Sequence, residues 1–144
     1  MTMSETITNQ ARGLGFGVRA EHALTTRSAY LTLWHPSLCS CGEDDCEGEC
    51  EEVLMRVSDH APTARAQVEG SADYYVSSAL RGVEILCGLI GAEPTAYVKA
   101  QRTRQRAKDE ARAEVLRREI EVAERQGTRC GGARAKLARI EERL

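Results

Sequence analysis

The chain has 144 residues and is 42% apolar, but 19 of its apolar residues are alanine and 6 are cysteine, which leaves 35 large apolar side chains. No apolar run approaches the roughly 18 residues of a membrane span, and the hydrophobic periodicity argues against wholesale disorder. The net charge of −2 conceals two unlike halves: residues 1–98 carry 6 basic and 14 acidic side chains, and residues 99–144 carry 14 basic and 8 acidic.

Only 7 of the 35 large apolar residues follow Val98. This predicts a modest core in an α+β domain over residues 1–94 and a charged helical extension over 95–144. Such charge asymmetry bears on partners and association rather than on fold. The N-terminal ten residues lack the basic and apolar regions of a signal peptide, so an intracellular, cytoplasmic chain is expected. No membrane partner is expected either.

In chain order, residues 1–12 are polar and are expected to fray. Gly13, Gly15 and Gly17 alternate with Leu14, Phe16 and Val18, which reads as an edge strand. A phosphate loop would need a preceding strand, a following helix and a Gly-Lys-Ser/Thr sequence, none of which is evident. Residues 25–35 alternate Tyr30, Thr32 and Trp34 with Leu31 and Leu33, as a strand buried on both faces would. Residues 52–59 place Val53, Met55 and Val57 on one face. The two strands are expected to pair antiparallel in a small sheet, with residues 36–51 between them. A structureless loop of that length is uncommon unless something holds it.

Residues 71–91 switch to helical spacing through Ala72, Tyr75, Val76, Ala79, Leu80, Val83, Leu86, Cys87 and Ile90. Ser71 reads as the N-cap, Asp73 as a first-turn acid and Gly91 as the stop. Glu93-Pro94 breaks the helix. A second helix is expected over 95–126, ended by Gly127, and a third over 133–144 after a Gly131-Gly132 turn. Ala113, Leu116, Ile120 and Ala123 face one way on the former, and Leu137, Ile140 and Leu144 on the latter. Each stripe is too narrow to stand alone, so a helical hairpin or a coiled-coil contact with another copy is predicted. Glu114–Arg118 and Glu121–Arg125 are spaced for ion pairs along the helix.

The sharpest signal is Cys39-Ser-Cys41-Gly-Glu-Asp-Asp-Cys46-Glu-Gly-Glu-Cys50. Four thiolates at C-x-C-x4-C-x3-C spacing suit tetrahedral zinc, with Zn–S of about 2.3 Å. Gly42 and Gly48 let the loop turn tightly, and a metal there would contribute to folding directly. Seven acidic side chains between Glu43 and Glu52 raise the cost of deprotonating the thiols and make the loop a poor nucleic-acid contact. Disulfides call for an oxidising compartment, and the spacing matches none of the ferredoxin patterns. His35, four residues before Cys39, is an alternative ligand or a strand-end histidine. Cys39, Cys41 and Cys46 resemble the post-SET zinc motif of protein lysine methyltransferases, C-x-C-x4-C, with Cys50 standing in for a fourth ligand that this family takes from elsewhere. The resemblance spans eight residues and implies a zinc geometry, not methylation.

Asp59-His60 would be an orienting acid and a general base only if both pointed the same way, and neighbours in a strand do not. Residues 56–60 and 72–76 resemble segments of small phage and mobile-element proteins, which implies a phage origin and the host cytoplasm. Lys99, Arg102, Arg104, Arg106, Lys108 and Arg112 load one helix with positive charge, opposed only by Asp109 and Glu110. Such a helix can bind phosphates without reading bases. At about 100° per residue, positions 102 and 106 share one face and 104, 108 and 112 another, so the charge wraps the helix. Cys87 is expected to pack as a small apolar residue and Cys130 to be exposed. The sequence therefore predicts a non-enzymatic zinc module that engages a protein partner or itself through its C-terminal helices. The alternative is a nucleic-acid-binding regulator working through residues 99–112.

Overall fold

The structure, a computed structural model, describes residues 2–22, 28–42, 46–58 and 72–144. It separates into two compact units, Met1–Val98 and Lys99–Leu144. The first is α+β.

Helix α1 (Met3–Gly13) opens it, where frayed chain was expected. Thr2 caps the helix with its hydroxyl on the Glu5 N–H, and the Glu5 carboxylate accepts from the Thr2 N–H at 2.8 Å. This reciprocal box supplies partners for two otherwise orphaned donors. The buried stripe of α1 is Ser4, Ile7 and Ala11, with Ile7 its one fully buried large apolar residue and Met3 packed partly buried beside the core.

Strands β1 (Gly17–His22), β2 (Ala29–Trp34), β3 (Val53–Val57) and β4 (Tyr74–Val76) form one sheet in that order. β1, β2 and β3 pair antiparallel, with Leu31 opposite both Ala20 and Met55. β4 runs parallel to β3, with Tyr75 opposite Arg56, so the sheet is mixed rather than antiparallel throughout. The alternation read from sequence holds in β2, where Ala29, Leu31 and Leu33 are buried. Of the expected glycine-rich strand, only the part from Gly17 onward is extended. Gly13 ends α1, and Gly15 turns the chain at φ +92°.

Helix α2 (Ala79–Ile90) starts later than expected. Tyr74, Tyr75 and Val76 belong to β4, because aromatic and β-branched residues beside an open strand edge pair with it. The cap is Ser78, whose hydroxyl accepts from the Arg81 N–H at 3.1 Å. Ser71 lies outside the described residues, and the Asp73 carboxylate accepts from the Leu54 N–H at 2.8 Å. Gly91 ends the helix in the left-handed conformation, at φ +63°. Val83, Leu86 and Cys87 of α2 join Ile7, Leu31, Leu33, Met55 and Val76 in a single core.

Helix α3 (Ala96–Gln126) places its first-turn residue Val98 in that core. The second unit is a helical hairpin of α3 with α4 (Gly131–Arg143). Ala113 and Leu116 pack on Ile140, with Ala133 and Leu137 alongside. Gly131 and Gly132 form the first turn of α4 instead of preceding it. Leu144, expected in the stripe, is 39% exposed. Ion pairs Arg117–Glu141, Arg134–Glu124 and Arg143–Asp109 bridge the two helices, and Glu114–Arg118 and Glu121–Arg125 run along α3. Among the described residues, no helix is long and apolar enough to cross a membrane.

Candidate metal centre

The four-cysteine loop joins the end of β2 to the start of β3, whose pairing sets Leu33 opposite Val53. One 3₁₀ turn, Pro36–Leu38, follows β2, with His35 as its cap. His35 Nδ1 accepts from the Ser37 N–H at 3.1 Å, and the Ser37 hydroxyl lies 2.6 Å from the same atom. Nε2 lies 3.0 Å from the Leu14 carbonyl oxygen. A carbonyl only accepts, so Nε2 carries the proton and donates. The ring also tilts against Phe16, with centroids 4.8 Å apart. Both ring nitrogens are thus engaged, and His35 is a strand-end structural residue outside the sulfur cluster.

The returning limb of the loop passes close to the His35 backbone at Gly48, which has φ +96° and is buried. An added Cβ there would stand 2.1 Å from the His35 carbonyl oxygen. Only glycine meets both demands. The Ser40 hydroxyl donates to Glu51 at 2.7 Å and ties the two limbs together.

These constraints bring Cys39, Cys41, Cys46 and Cys50 together. All four sulfurs lie within 4.8 Å of one another. Cys39 Sγ is 3.0 Å from Cys41 Sγ, 3.2 Å from Cys46 Sγ and 3.0 Å from Cys50 Sγ, and Cys46 is 3.6 Å from Cys50. Disulfide sulfurs would be about 2.05 Å apart, and the four are free thiols. A tetrahedron with Zn–S of about 2.3 Å has S···S edges of about 3.8 Å. Small outward shifts of the sulfurs make room for such an ion, so the donor set fits a four-coordinate metal.

The electrostatics favour a thiolate at Cys46. Cys39 Sγ donates to it, and the N–H groups of Gly48 and Cys50 point at the same sulfur, lowering its pKa to about 6. Cys39 is raised far above the usual thiol range by its hydrogen bonds to Cys41 and Cys50. Cys39 thus keeps its own proton under conditions in which Cys46 has lost its own. Glu47, Glu49, Glu51 and Glu52 are all exposed, which leaves their charge solvated at the rim. Glu52 pairs with Arg19 of β1 at 3.8 Å. Residues 43–45, which hold the other loop acids, lie outside the described set, as does Asp59-His60 with its catalytic reading.

Lys99, Arg102, Arg104, Arg106, Lys108 and Arg112 all lie on α3 and are all exposed. Arg106 pairs with Glu110 at 3.4 Å. Asp109, expected among the surface acids, is buried and receives Arg143. Cys87 is buried in the core. Cys130 is half-buried rather than exposed: it stands at the N-cap of α4, where Arg134 hydrogen-bonds its side chain.

The chain matches no family model, and comparison with curated proteins and with solved structures gave no match either. The functional reading therefore rests on the site itself.

Proposed function

We propose that this is a zinc-stapled, non-enzymatic interaction module. Zinc would bind Cys39, Cys41, Cys46 and Cys50 as a structural ion, and the C-terminal helices would engage a protein partner or a second copy. The carrying observation is the convergence of four sulfurs within 4.8 Å on a loop pinned at both ends by strand pairing. Four protein ligands fill a tetrahedral ion and leave no open position for substrate or water, which separates structural from catalytic zinc. The compact set suits one ion better than a cluster of irons, whose ligands must reach several metal atoms. Thiolate–zinc bonds persist where thiols stay reduced. That agrees with a cytoplasmic setting, in a phage's host if the resemblance to phage proteins reflects origin.

The direct test is native mass spectrometry of the untagged chain, paired with circular dichroism before and after chelation. One zinc per chain, with near-ultraviolet signal lost on chelation, is the expected result. A metal-free chain with unchanged structure overturns the reading.

A second reading is favoured by the six exposed basic side chains of α3: non-specific binding of nucleic-acid phosphates. Binding of that kind weakens steeply with salt. Gel shifts at rising salt, with Arg102, Arg104 and Arg106 neutralised together, test it. Binding that survives the triple neutralisation rejects it.

A further inference from the structure

The hairpin core uses one side of α3, where Ala113 and Leu116 are buried. On the opposite side Val115 and Val122 are 43% and 49% exposed, and they are the large apolar residues most open to solvent among those described. They stand one heptad apart and line a groove of about 460 Å³ with Arg118, Glu119 and Gln126. An apolar stripe of this kind calls for a partner helix.

The charges beside the stripe indicate which partner. At about 100° per residue, Glu114, Arg118, Glu121 and Arg125 all fall on one flank of it, alternating in sign. In an antiparallel helix pair related by a two-fold axis, like flanks face each other, and each sequence runs against its own reverse. A minus-plus-minus-plus order is complementary to its reverse. Centring the axis between Glu119 and Ile120 sets Glu114 against Arg125 of the second copy and Arg118 against Glu121 of the second copy. The same register interleaves Val115 with Val122 of the second copy. On the other flank the two Glu119 carboxylates approach each other across the axis, the one unfavourable contact in the arrangement.

We infer that the Val115–Val122 face of α3 is a homodimer interface, in which two copies of the chain pair antiparallel through this stripe. The inference deepens the proposed associating role of the C-terminal helices and does not depend on the metal.

Sedimentation equilibrium of the full chain across the micromolar range is the test. Dimer is expected for the wild type, and Val122→Glu is expected to weaken association about tenfold or more by placing a charge in the stripe. Arg118→Glu and Glu121→Arg each set like charges across the axis and are expected to weaken it. Combined, they restore the cross-axis pair while leaving both intrahelical pairs broken, so rescue by the double variant reports the antiparallel register. Glu119→Gln is expected to tighten the dimer. A wild type that stays monomeric, or a dimer indifferent to Val122→Glu, overturns the inference, and failed rescue in the double variant overturns the antiparallel arrangement. Zinc content measured on the same samples reports separately on the metal reading.

Discussion

The Cα of Gly48 lies against the carbonyl of His35 so closely that a β-carbon would stand 2.1 Å from the oxygen, at a φ of +96°. This contact seats the returning limb of the cysteine loop on the end of β2. Gly48→Ala is therefore expected to displace Cys46 and Cys50, its neighbours in the loop, and to lower zinc occupancy. Gly42 is the internal control. It too has a positive φ (+75°), but a β-carbon there meets nothing within 4 Å. Gly42→Ala pays only the left-handed backbone cost of about 1 kcal/mol and is expected to keep its metal. A competitive zinc titration of both variants separates crowding from backbone preference. Equal losses would show that the His35 contact is not what positions the ligands.

Cys39 lies within 3.2 Å of all three other sulfurs, so Cys39→Ser is expected to abolish stoichiometric zinc binding. His35→Gln is expected to retain the metal, because the imidazole nitrogens go to Leu14 and Ser37. Its amide Nε2 can still donate to the Leu14 carbonyl, but the Nδ1 acceptor of the Ser37 N–H is lost, at a cost of about 1 kcal/mol of stability. Metal analysis beside urea unfolding reads both quantities. Loss of zinc in His35→Gln would place the histidine in the coordination sphere.

The Cys46 pKa, lowered to about 6, sets a direction for the pH response. A depressed acidic group favours the structure that holds its anion at higher pH, and that contribution is lost as pH falls through the folded value. Protons also compete directly with the metal for every thiolate. Zinc is thus expected to be held at neutral pH and released progressively as the solution is acidified, since every thiolate ligand must be protonated for the metal to leave. A chromogenic zinc indicator followed during acidification checks this. Release confined to alkaline solution would contradict it.

The sequence conveyed the cysteine loop, β2, β3 and the hairpin because each carries a local signal: dense thiols, period-two alternation, or apolar residues three and four apart. Helix α1 was illegible by the same logic, since its buried face holds Ser4, Ile7 and Ala11 and looks polar to any hydrophobic count. The missed signal was Thr2-Met-Ser-Glu5, a capping box. β4 was hidden differently. Tyr75 and Val76 fit a helical spacing extrapolated backward from α2, and only pairing with β3 decides for strand. Ser77-Ser78, two adjacent capping residues, marked the true helix start. The meeting of His35 with Leu14 and Gly48 is a tertiary contact with no local signature at all.

Gly82 makes the packing of α1 testable. A β-carbon on it would meet Ile7 Cδ1 at 2.6 Å and Met55 Sδ at 3.6 Å. Gly82→Val forces Ile7 out of its site and is expected to cost about 1–3 kcal/mol, as overpacking does. Gly88, on the same helix, has open space around its β-position. Gly88→Ala is expected to stabilise the chain by roughly 0.5–1 kcal/mol through helix propensity alone. Thermal unfolding of both variants checks the contrast, and a Gly82→Val chain as stable as the wild type would mean that α1 does not pack on α2.

Of the three ion pairs that bridge the hairpin, the one at Asp109 involves a buried acid. Asp109 accepts from Arg143 Nη2 at 2.9 Å and Nε at 3.3 Å, and from Gln105 Nε2 at 3.2 Å. The Arg143 hydrogen bonds hold its carboxyl below the usual carboxylate range. The folded pKa lies under the unfolded one, so the stabilisation is complete above the unfolded value and disappears as pH falls through the folded one. Acidification below about pH 4 is therefore expected to loosen the end of α4 first. Asp109→Asn keeps the shape but removes the charge, and is expected to destabilise the hairpin at neutral pH while flattening its acid response. Hydrogen exchange of the α4 amides, compared at neutral and acid pH in both chains, reads this out. An unchanged acid response in Asp109→Asn would assign it to other carboxylates of the hairpin.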